Sequence, residues 1–166
     1  IGDRDSTSII LNGLKRLEYR GYDSAGIAVL DQGRIEIRRD AGKLSHLESM
    51  VEEIPLHGRI GIGHTRWATH GEPNARNAHP HLSSTGEFVV VHNGIVENYL
   101  SLRESLVSEG AVFKSDTDTE TIVLLVEKYY QEVGSLEQAV QKTLKQLKGA
   151  HGIVVLSSRE PDKMIA

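Results

Sequence analysis

The sequence predicts an α+β fold in a single domain. Two observations carry the fold class: apolar strand-like runs arrive in pairs, and helical patterns are grouped between the pairs instead of alternating with each strand. The third concerns domain count. Nothing in the 166 residues reads as a repeat, a low-complexity tract or a dividing linker, and a chain of this length buries roughly two-thirds of its unfolded surface.

Each element has a local signal. Ser6 is placed to cap a first helix whose Ile9, Ile10, Leu14 and Leu17 share a face, with Lys15 and Arg16 near its end and Gly21 as its stop. A hairpin follows: Ala25 to Leu30, a turn at Asp31-Gln32-Gly33, then alternating Ile35 and Ile37. Leu44, Leu47, Val51 and Ile54 recur at helical spacing, ended by Pro55 and Gly58. Ile60 to Thr65 reads as a strand and leads into a long polar segment from Arg66 to Thr85. Phe88 to Val91 is a buried-strand run ending in His92-Asn93-Gly94. Tyr99, Leu102 and Leu106 predict a helix closed by Gly110. Thr117 and Glu120 stand in capping-box spacing before Ile122, Leu125, Val126 and Tyr129, and Ser135 and Gln138 repeat that spacing before Leu136, Ala139, Val140, Leu144 and Leu147. Ile153 to Leu156 is the last clear strand, with another beginning at Met164.

Composition narrows the function classes. The hydrophobic share is 39% and the charged share 25%, ordinary for a globular domain. A net charge of -4 with no basic run longer than two residues gives no footprint for nucleic acid or an anionic membrane. No apolar stretch spans a bilayer and Ile1 to Asp5 does not read as a signal peptide, so a cytoplasmic protein is expected. Zero cysteines exclude disulfides, thiolate metal sites and thiol chemistry within these residues.

Three polar segments are candidates for chemistry. His64-Thr65-Arg66-Trp67-Ala68-Thr69-His70-Gly71-Glu72-Pro73 follows a strand and opens a long loop; loops of that length in a compact domain are usually functional. Arg66 there suits bidentate binding of a carboxylate, while the plain alternative is a surface arginine beside a tryptophan that packs the loop. Asn93-Gly94 after a strand reads most simply as a hairpin turn; the alternative is an oxyanion hole, an amide side chain and a glycine N–H aimed at one developing charge. The run Ser115 to Glu120 is explained by helix capping, or by an aspartate turned into a site to bind a ligand ammonium. A zinc site on His64, His70, His79 and His81 is disfavoured, because Pro80 separates two of them and no fixed ligand pattern follows. No cofactor is expected.

These segments resemble a known family. Leu17-Glu18-Tyr19-Arg20-Gly21-Tyr22-Asp23-Ser24-Ala25-Gly26, the block His64 to Pro73 with Asn77-Ala78-His79-Pro80-His81, Val91-His92-Asn93-Gly94, and Thr117-Asp118-Thr119-Glu120 stand in the order found in the glutaminase domains of the glucosamine-6-phosphate synthases, which are class II glutamine amidotransferases. The likeness runs along essentially the whole chain. It implies an N-terminal nucleophile hydrolase fold, a four-layer αββα sandwich, with residues 1–166 forming a partial glutamine amidotransferase domain. In that family a first-residue cysteine attacks the glutamine side-chain amide, with its own α-amino group as base. The ammonia released passes to a C-terminal sugar-isomerase domain that makes glucosamine 6-phosphate from fructose 6-phosphate, in an enzyme expected to be a homodimer.

Carried over by position, the resemblance implies that Arg66 holds the glutamine α-carboxylate and Asp118 its α-ammonium. Asn93 and Gly94 form the oxyanion hole. Trp67, Thr69 and His70 belong to the loop that closes on glutamine, with Trp67 shielding the ammonia path, and Arg20 and His79 support the site. The family begins with Cys-Gly-Ile-Val-Gly before the segment matched by Ile1-Gly2. The expectation is therefore a chain without its nucleophile, first strand and closing strands, inactive by itself. A non-catalytic glutamine-binding module is the alternative.

Overall fold

The computed structural model describes residues 2–68 and 70–166. The two-residue turn Gln32-Gly33, both at positive φ, joins strand β1 (Ser24–Asp31) to β2 (Arg34–Ala41) with Asp31 paired to Arg34. Positive φ at both turn positions matches the right-handed twist of the strands, which is why this short turn closes the hairpin. β3 (Ile60–Arg66) pairs antiparallel with the other edge of β1, giving a sheet of order β2-β1-β3. A second antiparallel sheet has the order β4-β5-β6-β7, from β4 (His81–Leu82), β5 (Phe88–Gly94), β6 (His151–Ser157) and β7 (Met164–Ile165).

Strand parity sorts the apolar residues into three layers of core. On β1, Ala25, Ile27 and Val29 face helices α1 (Ser6–Lys15) and α2 (Leu44–Glu53), joining Leu14, Leu44 and Leu47. The alternate residues Ala28 and Leu30, with Ile60 and Ile62 of β3, face the second sheet, where Val89, Val91 and Leu156 meet them. On β5, Phe88 and Val90 point the other way, into helices α3 (Tyr99–Ser108), α4 (Asp118–Val133) and α5 (Leu136–Leu144). Successive side chains on a strand leave opposite faces, so both central strands are apolar on both faces and read as unbroken runs. The result is four layers: two helices, three strands, four strands, three helices.

Several local expectations change. Asp5, not Ser6, caps α1, accepting from the Thr7 N–H at 3.0 Å; the Ser6 hydroxyl instead donates to the Gly58 carbonyl. Thr117 does cap α4, but Glu120 does not close the box. Its carboxylate accepts from the backbone N–H groups of Lys114 and Ser115 and from the Ser115 hydroxyl, tying down the loop before the helix. Residues 118 to 127 of α4 are buried on every side, where a one-faced helix was expected, because a sheet lies on one side and α3 and α5 on the others. Ile54 and Leu144 fall at helix ends and are exposed, and Leu147 is buried beyond α5.

Candidate active site

The seam between the sheets is apolar for most of its length and turns polar at one end. On β3 the parity that sends Ile60 and Ile62 inward also sends His64 and Arg66 inward. On β5 the parity of Val89 and Val91 puts Asn93 in the same seam, and His64 Nε2 meets Asn93 Oδ1 at 2.8 Å. Around this end lies a cleft of about 570 Å³, lined by Arg20, Arg66, Trp67, His70, His79, Asn93, Gly94 and Asp118. Every candidate site residue therefore borders one cavity except Thr69, which lies outside the described residues.

Arg66 is only 4% exposed. A buried guanidinium is costly unless its donors are met. Here it donates to an Asp23 oxygen at 3.5 Å and to the carbonyls of His70 and Gly71. Those bonds use three of its five N–H donors and leave two unused among the described residues. Asp23 in turn accepts from the Ala68 N–H, so the loop after β3 is pinned to the start of β1. Asp118, 3% exposed, sits in the first turn of α4 and accepts from the Val96 N–H at 2.8 Å through Oδ2. Arg20, closing a 3₁₀ turn (Glu18–Arg20), is exposed at the rim.

Asn93-Gly94 is not a turn. β5 continues through both residues, with Asn93 opposite Gly152 and Gly94 opposite His151. The following strand partner comes from 57 residues further along, which adjacent sequence could not reveal. The His92 N–H leaves the edge facing β4, where His79 Nδ1 accepts it at 3.3 Å. By the alternation of an antiparallel ladder the Gly94 N–H leaves the same edge, beyond the end of β4. Gly94 has φ 131°, and a Cβ there would lie 2.2 Å from the Ala150 carbonyl oxygen. Gly94→Ala is therefore expected to cost about 2 kcal/mol or more, lowering the melting temperature by roughly 4–8 °C; an unchanged thermal melt would refute this.

Trp67 does not fit the plain alternative of a tryptophan that packs its loop. It is 71% exposed, and its ring lies against Gly21 at the mouth of the cleft. The loop is fastened by Arg66, Asp23 and Asn77 instead, the last donating to the Glu72 carbonyl and accepting from the Asp116 N–H.

Behind the cleft lies a cluster of imidazoles: His64, His79 and His81, which the sequence offered only as part of a disfavoured zinc set, are joined by His92. His64 stacks on His79 at 4.5 Å and His79 meets His81 edge-on at 4.9 Å. Thr119 Oγ1 bridges His79 Nε2 and His92 Nδ1, and Thr117 Oγ1 meets His81 Nε2. Burial is the leading cause holding all four histidines below the usual imidazole pKa, farthest for His79 and His81, where neighbouring cations and imidazoles push the same way. The rings meet by stacking, edge-on and through hydroxyls. Among the described residues no three His, Asp or Glu side chains converge as a metal-holding group. Sequence carried one usable signal for the cluster: His64 and His92 share the parity pattern of their strands.

Comparison with known proteins decides the family. The model of the glutamine amidotransferase domain matches residues 25–166. The chain belongs to that family. Its relatives include the glutamine–fructose-6-phosphate aminotransferases (isomerizing) of Clostridium acetobutylicum, 51% identical over 99% of this chain, and of Pseudomonas syringae pv. tomato, 53% identical over 100% of this chain. The chain spans 27% of the length of each. Among solved structures, the glutamine phosphoribosylpyrophosphate amidotransferase of B. subtilis, complexed with ADP and GMP, superposes with a TM-score of 0.79 at 25% identity, covering 95% of this chain and 34% of that one. A structure described as the allosteric regulatory enzyme of purine biosynthesis gives 0.77 at 28%, over 91% and 33%. The amidotransferase thus has the N-terminal nucleophile fold that its motifs implied, and no helix among its described residues is long and apolar enough to cross a membrane.

Proposed function

We propose that this amidotransferase domain hydrolyses glutamine to glutamate and ammonia, and that the ammonia serves a sugar-isomerase domain of the same polypeptide that converts fructose 6-phosphate to glucosamine 6-phosphate. The observation that carries this reading is the convergence of a buried cation, a buried carboxylate and an Asn-Gly strand end on one cleft. Arg66, with two donors unused among the described residues, receives the glutamine α-carboxylate. Asp118 receives the α-ammonium through the oxygen that Val96 leaves free. Asn93 Nδ2 and the Gly94 N–H stabilise the oxyanion of the tetrahedral intermediate. Trp67, Thr69 and His70 form the loop that covers glutamine, with Trp67 at the exit of ammonia. Arg20 supports the nucleophile, and His79 braces the site from behind. The homodimeric whole enzyme and its cytoplasmic setting belong to the same proposal.

The nucleophile is a cysteine supplied by a segment ahead of Ile1. It attacks the amide carbon, its α-amine takes the thiol proton and passes it to the departing ammonia, and water then releases glutamate from the thioester. None of the 166 residues is a cysteine. A polypeptide of these residues alone is therefore expected to release no glutamate from glutamine. One that carries the N-terminal cysteine segment and the closing strands is expected to turn over. Turnover by the cysteine-free polypeptide in a coupled glutamate assay would defeat this assignment, and inactivity despite glutamine binding in the cysteine-bearing one would favour a non-catalytic glutamine-binding module.

A further inference from the structure

We infer that His64 is a positioning residue that sets which way the Asn93 side-chain amide points, so that its NH₂ group faces the reacting oxygen. The inference rests on the oxyanion reading of Asn93. An asparagine amide has two ends of nearly equal size, and only the NH₂ end stabilises an oxyanion; turned over, its carbonyl would repel one. Something must choose between them. Asn93 is exposed at the cleft, so packing does not choose. The one described hydrogen bond of its amide is the contact to His64 Nε2 at 2.8 Å.

The tautomer of His64 follows from its surroundings. Its Nδ1 is shut away from solvent and has no hydrogen-bond partner among the described residues. A proton on Nδ1 would bury an unmet N–H donor, a rare and costly arrangement. A proton on Nε2 is met by Asn93 and leaves only a lone pair unpaired on the other side. Burial favours the uncharged ring, so the ring carries one proton, on Nε2. An Nε2–H requires an acceptor, which turns Asn93 Oδ1 toward His64 and its NH₂ away from it, into the cleft.

The ring is held where it must be. His64 stacks on His79 with an interplanar angle of 22°. His79 is itself fixed at both nitrogens, by the His92 N–H on Nδ1 and by the Thr119 hydroxyl on Nε2. The chain Thr119–His79–His64–Asn93 thus runs from the first turn of α4 through the seam to the end of β5. It gives the buried imidazoles a task that ligand binding alone leaves without explanation.

The test is a double-mutant cycle in the full-length enzyme that carries the cysteine. His64→Leu removes the donor while keeping apolar bulk, and is expected to lower kcat on the order of tenfold to a hundredfold, short of the roughly 10²–10³ for losing the Asn93 donor itself. KM should move by no more than about twofold, since the ground-state amide needs the donor little. His64→Gln, whose amide can donate from a similar position, should recover most of the rate. In the Asn93→Ala background, His64→Leu should cost nothing further, because a residue acting only through Asn93 has nothing left to orient. If the leucine variant does not fold by circular dichroism, His64→Ala is read in its place. An unchanged kcat for the single variant, or losses that multiply in the double variant, would overturn the inference while leaving Asn93 as oxyanion donor. An unchanged kcat for Asn93→Ala would remove the oxyanion reading, and the inference with it.

Discussion

Asn93→Ala in the full-length enzyme is expected to lower kcat by about 10²–10³ while leaving KM for glutamine nearly unchanged. The charge this side chain meets exists only in the tetrahedral intermediate and the transition states beside it. A donor aimed there lowers the barrier without tightening substrate binding. The Gly94 N–H remains in the variant, so activity should fall without vanishing. Asp118→Ala is the informative contrast. It removes the charge partner of the whole substrate, so KM should rise strongly, and any fall in kcat reflects a misplaced amide. Steady-state kinetics normalised to folded protein by circular dichroism measure both. A kcat for Asn93→Ala equal to that of the unaltered enzyme would reduce Asn93 to a strand-end residue of structural value only.

The second large effect is on stability in mild acid. His79 and His81 are buried, and their pKa values lie well below the ordinary imidazole value near 6.5; those of His64 and His92 are lowered as well. In the unfolded chain each takes up a proton near pH 6.5, while in the folded protein each resists. The unfolded state then binds more protons, and stability falls as pH falls. The full contribution is present above about pH 6.5 and is lost progressively below it, toward the lowered folded values. One pH unit below the unfolded pKa costs about 1.4 kcal/mol per group that stays neutral. His79 and His81 together should therefore remove up to about 3 kcal/mol between pH 7.5 and 5.5, with His64 and His92 acting in the same direction. The carboxylates with depressed values, Glu109, Asp116, Glu127 and Glu160, titrate lower and leave this window to the histidines. Urea midpoints at pH 7.5, 6.5 and 5.5 read the slope, which His79→Gln should reduce. A flat profile would mean that the cluster takes up protons without strain.

Much of the fold was legible because its signals are local. The β1–β2 hairpin, the three longer strand runs and five helical segments were each read from residues within about a dozen positions of one another. The errors have one cause. Ser6 and Glu120 carry side chains able to cap, and distant groups took them: the Gly58 carbonyl in one case and the loop amides of Lys114 and Ser115 in the other. Trp67 suits a packed loop in the plain alternative, yet just past the end of β3 it stands at the rim. Asn93-Gly94 has the form of a turn and is a strand, since its partner lies far along the chain. In each case a local preference worth about 1 kcal/mol was set aside by contacts that only the folded chain provides.

The division at the site is similar. By itself the sequence determined which residue types are available, through four motifs in order, and which faces of β1, β3 and β5 are apolar, through a two-residue period. It also held the absence of any thiol among these residues. The tertiary structure alone decided that the seam between two sheets turns polar at one end, that Arg66, Asn93 and Asp118 meet there from three elements, and that His64 reaches across to Asn93. Those pairings join residues 25 to 52 positions apart, and no local periodicity encodes distances of that kind. They follow from the layers being stacked with β3 and β5 face to face, which is a property of how the apolar faces are buried together and not of any single segment.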